Sequence, residues 1–348
     1  MKPPELNTDV IIVGSGISGL VLSNLLKAKK IDHLVLNRLE KQKKLELPET
    51  IPPSALVLLE SLNLLELFSK SSSKTFGYHS VWNSDRLTTN NFFDHNPYKY
   101  GLKLNKKELL EDLRELVSEH VLTYDNLIEL DKTAEGISIK MVSENSVRTI
   151  RTMLIIDATG RNRSILKQLG VASESFDKQV SLSCHLPYFK HPKLIHPVYT
   201  ESFEHGWGIV SSLNEQTNAM TLYTKIGSPI IADLKAFPNW KSILSGTTFF
   251  KDFLTDDADR KIVGGGANST KASQIVGSNW LAIGDAAIAF DPISSHGVTN
   301  AIYCANSAAQ AIEEQLTNPS TSPFQAYSKT LHHVFDEYLE QKSKLYEV

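Results

Sequence analysis

A short apolar run, Asp9 to Val13 (DVIIV), passes without interruption into Gly14-Ser15-Gly16-Ile17-Ser18-Gly19. Leu20 to Lys29 continues as an amphipathic helical stretch, and a second apolar run follows at His33 to Leu36. Continuous apolar runs of this length suit parallel strands buried on both faces. The whole reads as a strand, loop, helix and strand with G-x-G-x-x-G at the first turn, the pattern that cradles a dinucleotide. Gly14 would make the turn, Gly16 would let a pyrophosphate approach the backbone, and Gly19 would let helix and strand pack, with Ile17 and Ser18 inside the same cradle. The pattern asks for an acidic residue roughly 20 positions on, to take ribose hydroxyls. Asn37 stands there, followed by Arg38. An amide still hydrogen-bonds a ribose, but without the charge of a carboxylate. Weaker nucleotide retention is the expectation.

Two further stretches have the texture of a ligand-binding edge. Trp280 to Ile283 is a buried-strand run that breaks at Gly284-Asp285. Small residues follow, then a turn at Asp291-Pro292, and Gly297 opens a long Ala-rich helix. Small side chains let a backbone come close to something flat and bulky. An aspartate after a strand-ending glycine can bind a hydroxyl, and a helix start aims unbonded N–H groups at electron-rich oxygens. Leu154 to Ile156 likewise ends in Asp157-Ala158-Thr159-Gly160-Arg161, at the carboxyl edge where ligands bind in open α/β sheets. Each could be an ordinary strand end alone. With the glycine loop they read as a flavin nucleotide site.

Between these segments, Ser54 to Phe68, with Ser54 as N-cap, and Lys106 to Glu119 are predicted helices. Strands are predicted at Val121–Tyr124, Leu127–Leu130, Gly136–Val142 and Val147–Met153. From Ser175 to Asp257, alternating strands surround one helical stretch, Ile230 to Leu244. The predicted fold class is α/β: a Rossmann-like nucleotide domain built from 1–75, 101–174 and 258–318, with an inserted, mostly antiparallel β substrate domain from 76–100 and 175–257. A C-terminal helix occupies 319–348. Its stripe of Phe324, Tyr327, Leu331, Val334, Phe335, Tyr338 and Leu345 has helical spacing, and packing on the first domain is its expected use.

A net charge of −3 gives no broad basic face, so nucleic acid is not an expected partner. Cys184 and Cys304 offer neither a disulfide framework nor a metal-ligand spacing. No run of about 18 apolar residues exists and no hydrophobic signal segment opens the chain, so a soluble cytoplasmic protein off the membrane is the expectation. No Ser-His-Asp set, HExxH motif or paired cysteines offers rival chemistry. Gly264 to Gly266 lacks the strand–helix context of a second dinucleotide site, so NAD(P)H would bind transiently or another reductant would supply electrons.

GSGISG at 14–19, DATGR at 157–161 and GDAAIAFDPISSHGV at 284–298 together resemble the FAD-dependent monooxygenases of the p-hydroxybenzoate-hydroxylase fold, in the branch that includes the tryptophan halogenases. PETIPP at 48–53 is similar to that branch's G-E-[SA]-x-[IL]-P segment, with Pro48 where the glycine stands. The resemblance implies FAD as cofactor and dioxygen as co-substrate. It implies Gly14, Gly16 and Gly19 at the pyrophosphate and Asn37 at the adenosine ribose. Lys106 stands where this fold often carries an arginine reaching the cofactor. Asp285 would meet the ribityl chain or pyrophosphate, and Ser295, His296, Gly297 and Val298, after Pro292, would face the isoalloxazine. Asp157 and Gly160 belong to the second motif, whose Arg161 either pairs with a carboxylate or takes part in the site.

Halogenases of this branch carry W-x-W-x-I-P and a lysine that carries hypochlorous acid. Here Gly206-Trp207-Gly208-Ile209-Val210 has one tryptophan and no proline, and Lys74 in SSKTFG, near where that lysine falls, is either a surface lysine or, less in keeping with its surroundings, a catalytic one. DPISSHGV is closer to the DPLSSQG-type loop of the LodB/GoxB flavoproteins, which modify a precursor protein so that it acquires cysteine tryptophylquinone. His296 stands where that loop has glutamine. It is either a loop residue satisfied by backbone or a donor near the flavin pyrimidine, and with Ser295 it is the candidate for a catalytic role. The implied partner is the precursor of a LodA/GoxA-like quinoprotein oxidase. Two alternatives stand beside it: a hydroxylase or halogenase of a small aromatic, and a flavin-holding chaperone without turnover.

Overall fold

A computed structural model describes residues 6–39, 45–133, 136–143, 146–254, 260–318 and 322–346. Two compact units emerge: Met1–Gln42, Lys107–Phe176 and Ser269–Val348 form the first, and Lys43–Lys106 and Asp177–Asn268 form the second. This division differs from the sequence boundaries. The stretch up to residue 75, expected in the nucleotide domain, lies in the second unit from Lys43 onward. The cause is pairing: Glu49–Ile51 and Ser72–Thr75 both hydrogen-bond to Gly101–Leu104. Val263–Gly266 lies in the second unit as well, because it pairs with Gln179–Pro187.

The sheet of the first unit runs in the order Val121–Tyr124, His33–Arg38, Leu6–Val13, Ser146–Asp157, Gly136–Ser143, Asn126–Thr133, with Trp280–Ala282 also on Ser146–Asp157. The glycine-loop strand lies parallel to both its neighbours. Val10, Ile11, Ile12 and Val13 are all 0% exposed, which is the two-faced burial that a continuous apolar run predicts. Two strands predicted separately, Val147–Met153 and Leu154–Ile156, are one strand of 12 residues. Its first half pairs antiparallel with Gly136–Ser143 and its second half carries Trp280–Ala282 in parallel. Helix Gly297–Thr317 follows, then the C-terminal helix Ser322–Tyr346. Phe324, Tyr327, Leu331 and Phe335 of that helix are buried, and the Tyr327 hydroxyl donates to the Ala282 carbonyl at 2.8 Å.

In the second unit a sheet orders Val263–Gly266, Gln179–Pro187, Thr217–Lys225, Gly206–Ser212, Val198–Phe203, Gly77–Val81 and Thr88–Asn91. Only the Val198–Phe203 and Gly77–Val81 contact is parallel. Its core gathers Tyr199, Met220, Leu222, Trp240 and Phe250. The predicted helix Ser54 to Phe68 is two helices, Pro53–Ser61 and Leu65–Lys70, because Asn63 turns left-handed at φ 56°. Its cap is Pro52 rather than Ser54, with Pro53 in the first turn, where a missing N–H costs nothing. Ile230 to Leu244 reduces to a short turn, Asp233–Lys235, and helix Phe237–Ile243.

No helix among the described residues is long and apolar enough to cross a membrane. Cys184 and Cys304 are buried free thiols, and burial pushes both up to about 12.

Candidate functional site

Three segments that lie far apart in sequence meet in the first unit at the carboxyl ends of its parallel strands. Gly14 has φ 117°, and a Cβ there would sit 2.3 Å from the Ala158 carbonyl oxygen. A Cβ on Gly19 would sit 2.0 Å from the Gly14 carbonyl oxygen. Neither approach admits a side chain, so both positions require glycine. Ala158 N donates to Val13 O at 2.9 Å, and Ile283 N donates to Asp157 O at 3.0 Å. Gly284, at φ 56°, comes so close to Ser18 that a Cβ would lie 3.1 Å from that side chain. The glycine loop, the DATGR turn and the GDAA turn are thus one packed edge.

Two helices point open ends out of this edge. Ile17–Ala28 starts at Gly16 and Gly297–Thr317 starts at His296, and neither has a side-chain cap or an acidic residue in its first turn. Their first N–H groups are left for an outside acceptor, and the helix dipole favours negative charge there. Gly16 and Gly297 are exposed, and no atom lies within 4 Å of where either Cβ would be. Before Gly297 the chain makes a turn at Pro292–Ser294, goes left-handed at Ser295 with φ 51°, and leaves Ser295 and His296 exposed. Val298 points into the core at 6% exposure, and Pro292 is half-buried.

The remaining predicted residues are placed as follows. Asn37 Oδ1 accepts a short hydrogen bond from the Ser15 hydroxyl, which ties the end of strand His33–Arg38 to the glycine loop. Arg38 reaches Asn126 Oδ1 at 3.3 Å on the surface. Ile17 and Ser18 are buried. Asp157 is 0% exposed, and its carboxylate accepts from Thr159 N at 2.9 Å, Ile165 N at 3.1 Å and Leu166 N at 3.0 Å. It knots its own loop instead of facing outward. Gly160 is left-handed at φ 63° with open space around it. Asp285 lies 3.5 Å from Arg161, whose guanidinium also donates to Phe290 O at 2.6 Å. Lys106 belongs to the second unit, where it pairs with Glu49 at 3.0 Å. Lys74 holds its ammonium 4.1 Å from the centre of the Tyr100 ring, and Trp207 is buried and stacked on Tyr223 at 4.1 Å.

Sequence reasoning missed Arg163. It is left-handed at φ 47° and 3% exposed, and it donates to Ala286 O at 2.8 Å, Asp285 O at 3.3 Å and Thr270 Oγ1 at 3.0 Å. One buried guanidinium therefore pins the GDAA turn to the DATGR turn. Its only sequence signal was a second arginine in GRNR, which the motif overshadowed. Ser15 was missed as well, because the glycines around it carry the recognisable spacing.

A protein-family model described as an FAD binding domain matches residues 7–342. The chain belongs to this FAD-binding family. Its cofactor is FAD, and the site could hold that group: the open space at Gly16, at one uncapped helix start, would admit a pyrophosphate, and the other uncapped start, at Gly297, would present N–H groups to an oxygen of the flavin ring. The chain is 23% identical over 211 residues to the FAD-dependent oxidoreductase LodB of Marinomonas mediterranea, across 59% of this chain and 54% of that protein. It thus spans about half the length of that relative. Among solved structures, the flavin-dependent halogenase CmlS superposes with a TM-score of 0.80 at 20% identity, covering 95% of this chain and 63% of that one. The peptidyl tryptophan dihydroxylase QhpG superposes at 0.76 and 17% identity, covering 98% and 75%. At such identities the likeness to these structures is one of fold, the flavin-monooxygenase fold expected from the three motifs.

Proposed function

We propose that this flavoprotein is a monooxygenase that oxygenates a tryptophan side chain carried by a precursor protein, during cysteine tryptophylquinone biogenesis. The observation that carries the reading is the exposed Ser295-His296-Gly297 segment at the uncapped start of a 21-residue helix. A site edge of this kind leaves room for a substrate larger than a free metabolite. The likeness to LodB, and to a structure named as a peptidyl tryptophan dihydroxylase, supports the same reading. The partner would be the precursor of a LodA/GoxA-like quinoprotein oxidase.

When bound, FAD supplies the activation of dioxygen, with NAD(P)H or another reductant as electron source. The chain's own residues would hold and orient. Gly16 and the first turn after it would take the pyrophosphate, and Asn37, braced by Ser15, the adenosine ribose. Asp285, set by Arg161, would take a ribityl hydroxyl, and the N–H groups from Ser295 to Val298 would meet the pyrimidine edge. The test is mass spectrometry of a candidate precursor expressed with and without this protein. Oxygen added to a precursor tryptophan only in its presence is the expected result, and an unaltered tryptophan in both samples rejects the reading.

A second reading has an observation of its own. The second unit holds a cavity of about 240 Å³ lined by Tyr188, Phe189, His191, Tyr199, Ser211 and Phe253. Aromatic walls with a few polar groups suit a small aromatic substrate. Turnover of a free phenol or indole by the reduced holoprotein would favour that reading over the protein substrate.

A further inference from the structure

The last turns of the C-terminal helix Ser322–Tyr346 carry Tyr338, Lys342 and Tyr346, each four residues after the one before, so the three share a face. All three converge on Asp291, whose side chain is 0% exposed. Lys342 Nζ lies 3.0 Å from Asp291 Oδ2, and the Tyr346 hydroxyl donates to the same oxygen at 3.0 Å. Asp291 Oδ1 accepts from Ile293 N at 3.0 Å. The backbone N–H of Asp291 donates to the Tyr338 hydroxyl at 2.7 Å. That hydroxyl also shares a hydrogen bond with Ser269 Oγ, 2.7 Å away, and Lys342 donates to Ser269 Oγ at 2.8 Å. Phe290, just before Asp291, sets its ring against Tyr338 at 4.6 Å and against His296 at 6.0 Å.

A carboxylate removed from water requires a charged partner and filled lone pairs, and the C-terminal helix supplies the charge and one of the hydrogen bonds. Asp291 in turn starts the turn Pro292–Ser294 that leads to left-handed Ser295 and to Gly297. The exposed segment Ser295–Gly297 is thus held at its near end by a helix that is separated from it in sequence by a whole further helix. We propose that Lys342, with Tyr338 and Tyr346, forms a positioning set that fixes the Pro292–Gly297 loop against the bound flavin. This rests on the reading that the loop meets the flavin. Lys342 acts through Asp291 and does not itself touch the cofactor.

The test compares Lys342→Met, Lys342→Arg, the double variant Asp291→Asn with Lys342→Met, and His296→Ala. Each is measured for FAD affinity, for the visible circular dichroism of bound FAD, and for its reduction potential. The double variant removes both charges together, so it keeps the test alive if the unpaired carboxylate of Lys342→Met prevents folding. Expected results are a Kd for FAD raised roughly tenfold by Lys342→Met, an altered visible dichroism in that variant and in the double variant, and recovery of both by Lys342→Arg. If His296→Ala alters the dichroism while the lysine variants match wild type, the positioning set is rejected and the loop reading stands. If neither alters dichroism or potential, the loop does not meet the flavin, and the proposal falls with it.

Discussion

In the first unit the site is shaped by backbone that comes too close for any side chain. Gly14 and Gly19 each face a carbonyl oxygen at a distance no Cβ can occupy, while Gly16 between them faces open space. The second unit has close backbone approaches too, at Gly77, Gly101 and Gly206, but they are scattered along its strands, and buried side chains make further tight places. Glu201, 1% exposed, receives the backbone N–H groups of Thr248, Phe249 and Phe250, and buried His79 receives the N–H of His196. The contrast teaches where each kind of constraint leaves its mark. Backbone approaches crowded into one short loop admit one residue type at each place and so print a spacing of glycines. A side-chain partnership admits several solutions and prints nothing periodic.

The largest effect that could break this contrast is at the glycine loop. Gly19→Ala places a Cβ 2.0 Å from a backbone oxygen, so the loop must move and FAD binding should be lost altogether. Gly16→Ala meets no protein atom and has an allowed backbone at φ −77°, so the apoprotein should melt as wild type does. Its Cβ would instead intrude on the pyrophosphate, weakening FAD by roughly tenfold or more. Thermal melts of the apoproteins and FAD titrations check both. If the two variants behave alike, the open space at Gly16 is not the cradle.

A smaller effect sharpens the comparison with buried carboxylates. Glu201→Gln keeps the shape but turns an amide N–H₂ toward backbone N–H groups, donor against donor, which should cost about 2–3 kcal/mol. Asp157→Asn sets the same conflict in the first unit, where the carboxylate accepts from Thr159, Ile165 and Leu166. Denaturant unfolding followed by tryptophan fluorescence reads the second unit mainly, since Trp82, Trp207 and Trp240 lie there and Trp280 lies in the first. An unchanged midpoint for Glu201→Gln would show that this carboxylate does not organise the second unit. Asp157→Asn should lower stability without a disproportionate loss of FAD, because its carboxylate is turned inward.

The same distinction explains what was legible in the sequence. The parallel strands, the close turn at the glycines and the meeting of three motifs followed from apolar runs and fixed spacings. The place of the stretch after Lys43 did not, because its partner strand Gly101–Leu104 lies about fifty residues on and nothing in either segment advertises the pairing. Asn63 broke a helix that its apolar pattern continues straight through. Buried Arg163 and half-buried Lys342 were invisible for a physical reason: an enclosed cation is identified by the acceptors that surround it, and those come from loops distant in sequence.

The smallest effect is one of pH, and it separates the units by the partners of one nitrogen. His33 in the first unit and His79 in the second are both buried, and burial is the leading cause lowering the pKa of each. His33 Nδ1 faces the Ile31 carbonyl at 2.8 Å and so must carry a proton, leaving Nε2 to accept from the Ser23 hydroxyl at 2.8 Å. If His33 gains a second proton, that hydroxyl can rotate and accept. The Ile31 carbonyl, Asp32 and Glu119 favour the proton, against the stacked ring of His120. His79 has no such escape. Its Nε2 accepts from the backbone N–H of His196 at 3.1 Å, a donor that cannot turn, and the His196 side chain opposes the charge as well. A folded pKa below the unfolded value of about 6.5 gives stability that is complete above that pH and is lost as pH falls through it toward the folded value. Both units should therefore weaken between pH 7 and 5, and the second should weaken more. Hydrogen exchange, corrected for intrinsic rates, resolves them: strands Gly77–Val81 and Val198–Phe203 should lose more protection than Leu6–Val13 and His33–Arg38. His79 Nδ1 also meets Thr89 Oγ1 at 3.0 Å, and His79→Gln, which has a donor and an acceptor but does not titrate, should flatten the response of the second unit alone. Equal losses in the two units, or a pH response unmoved by His79→Gln, would mean that the fixed N–H against His79 is not what sets the acid sensitivity of this chain.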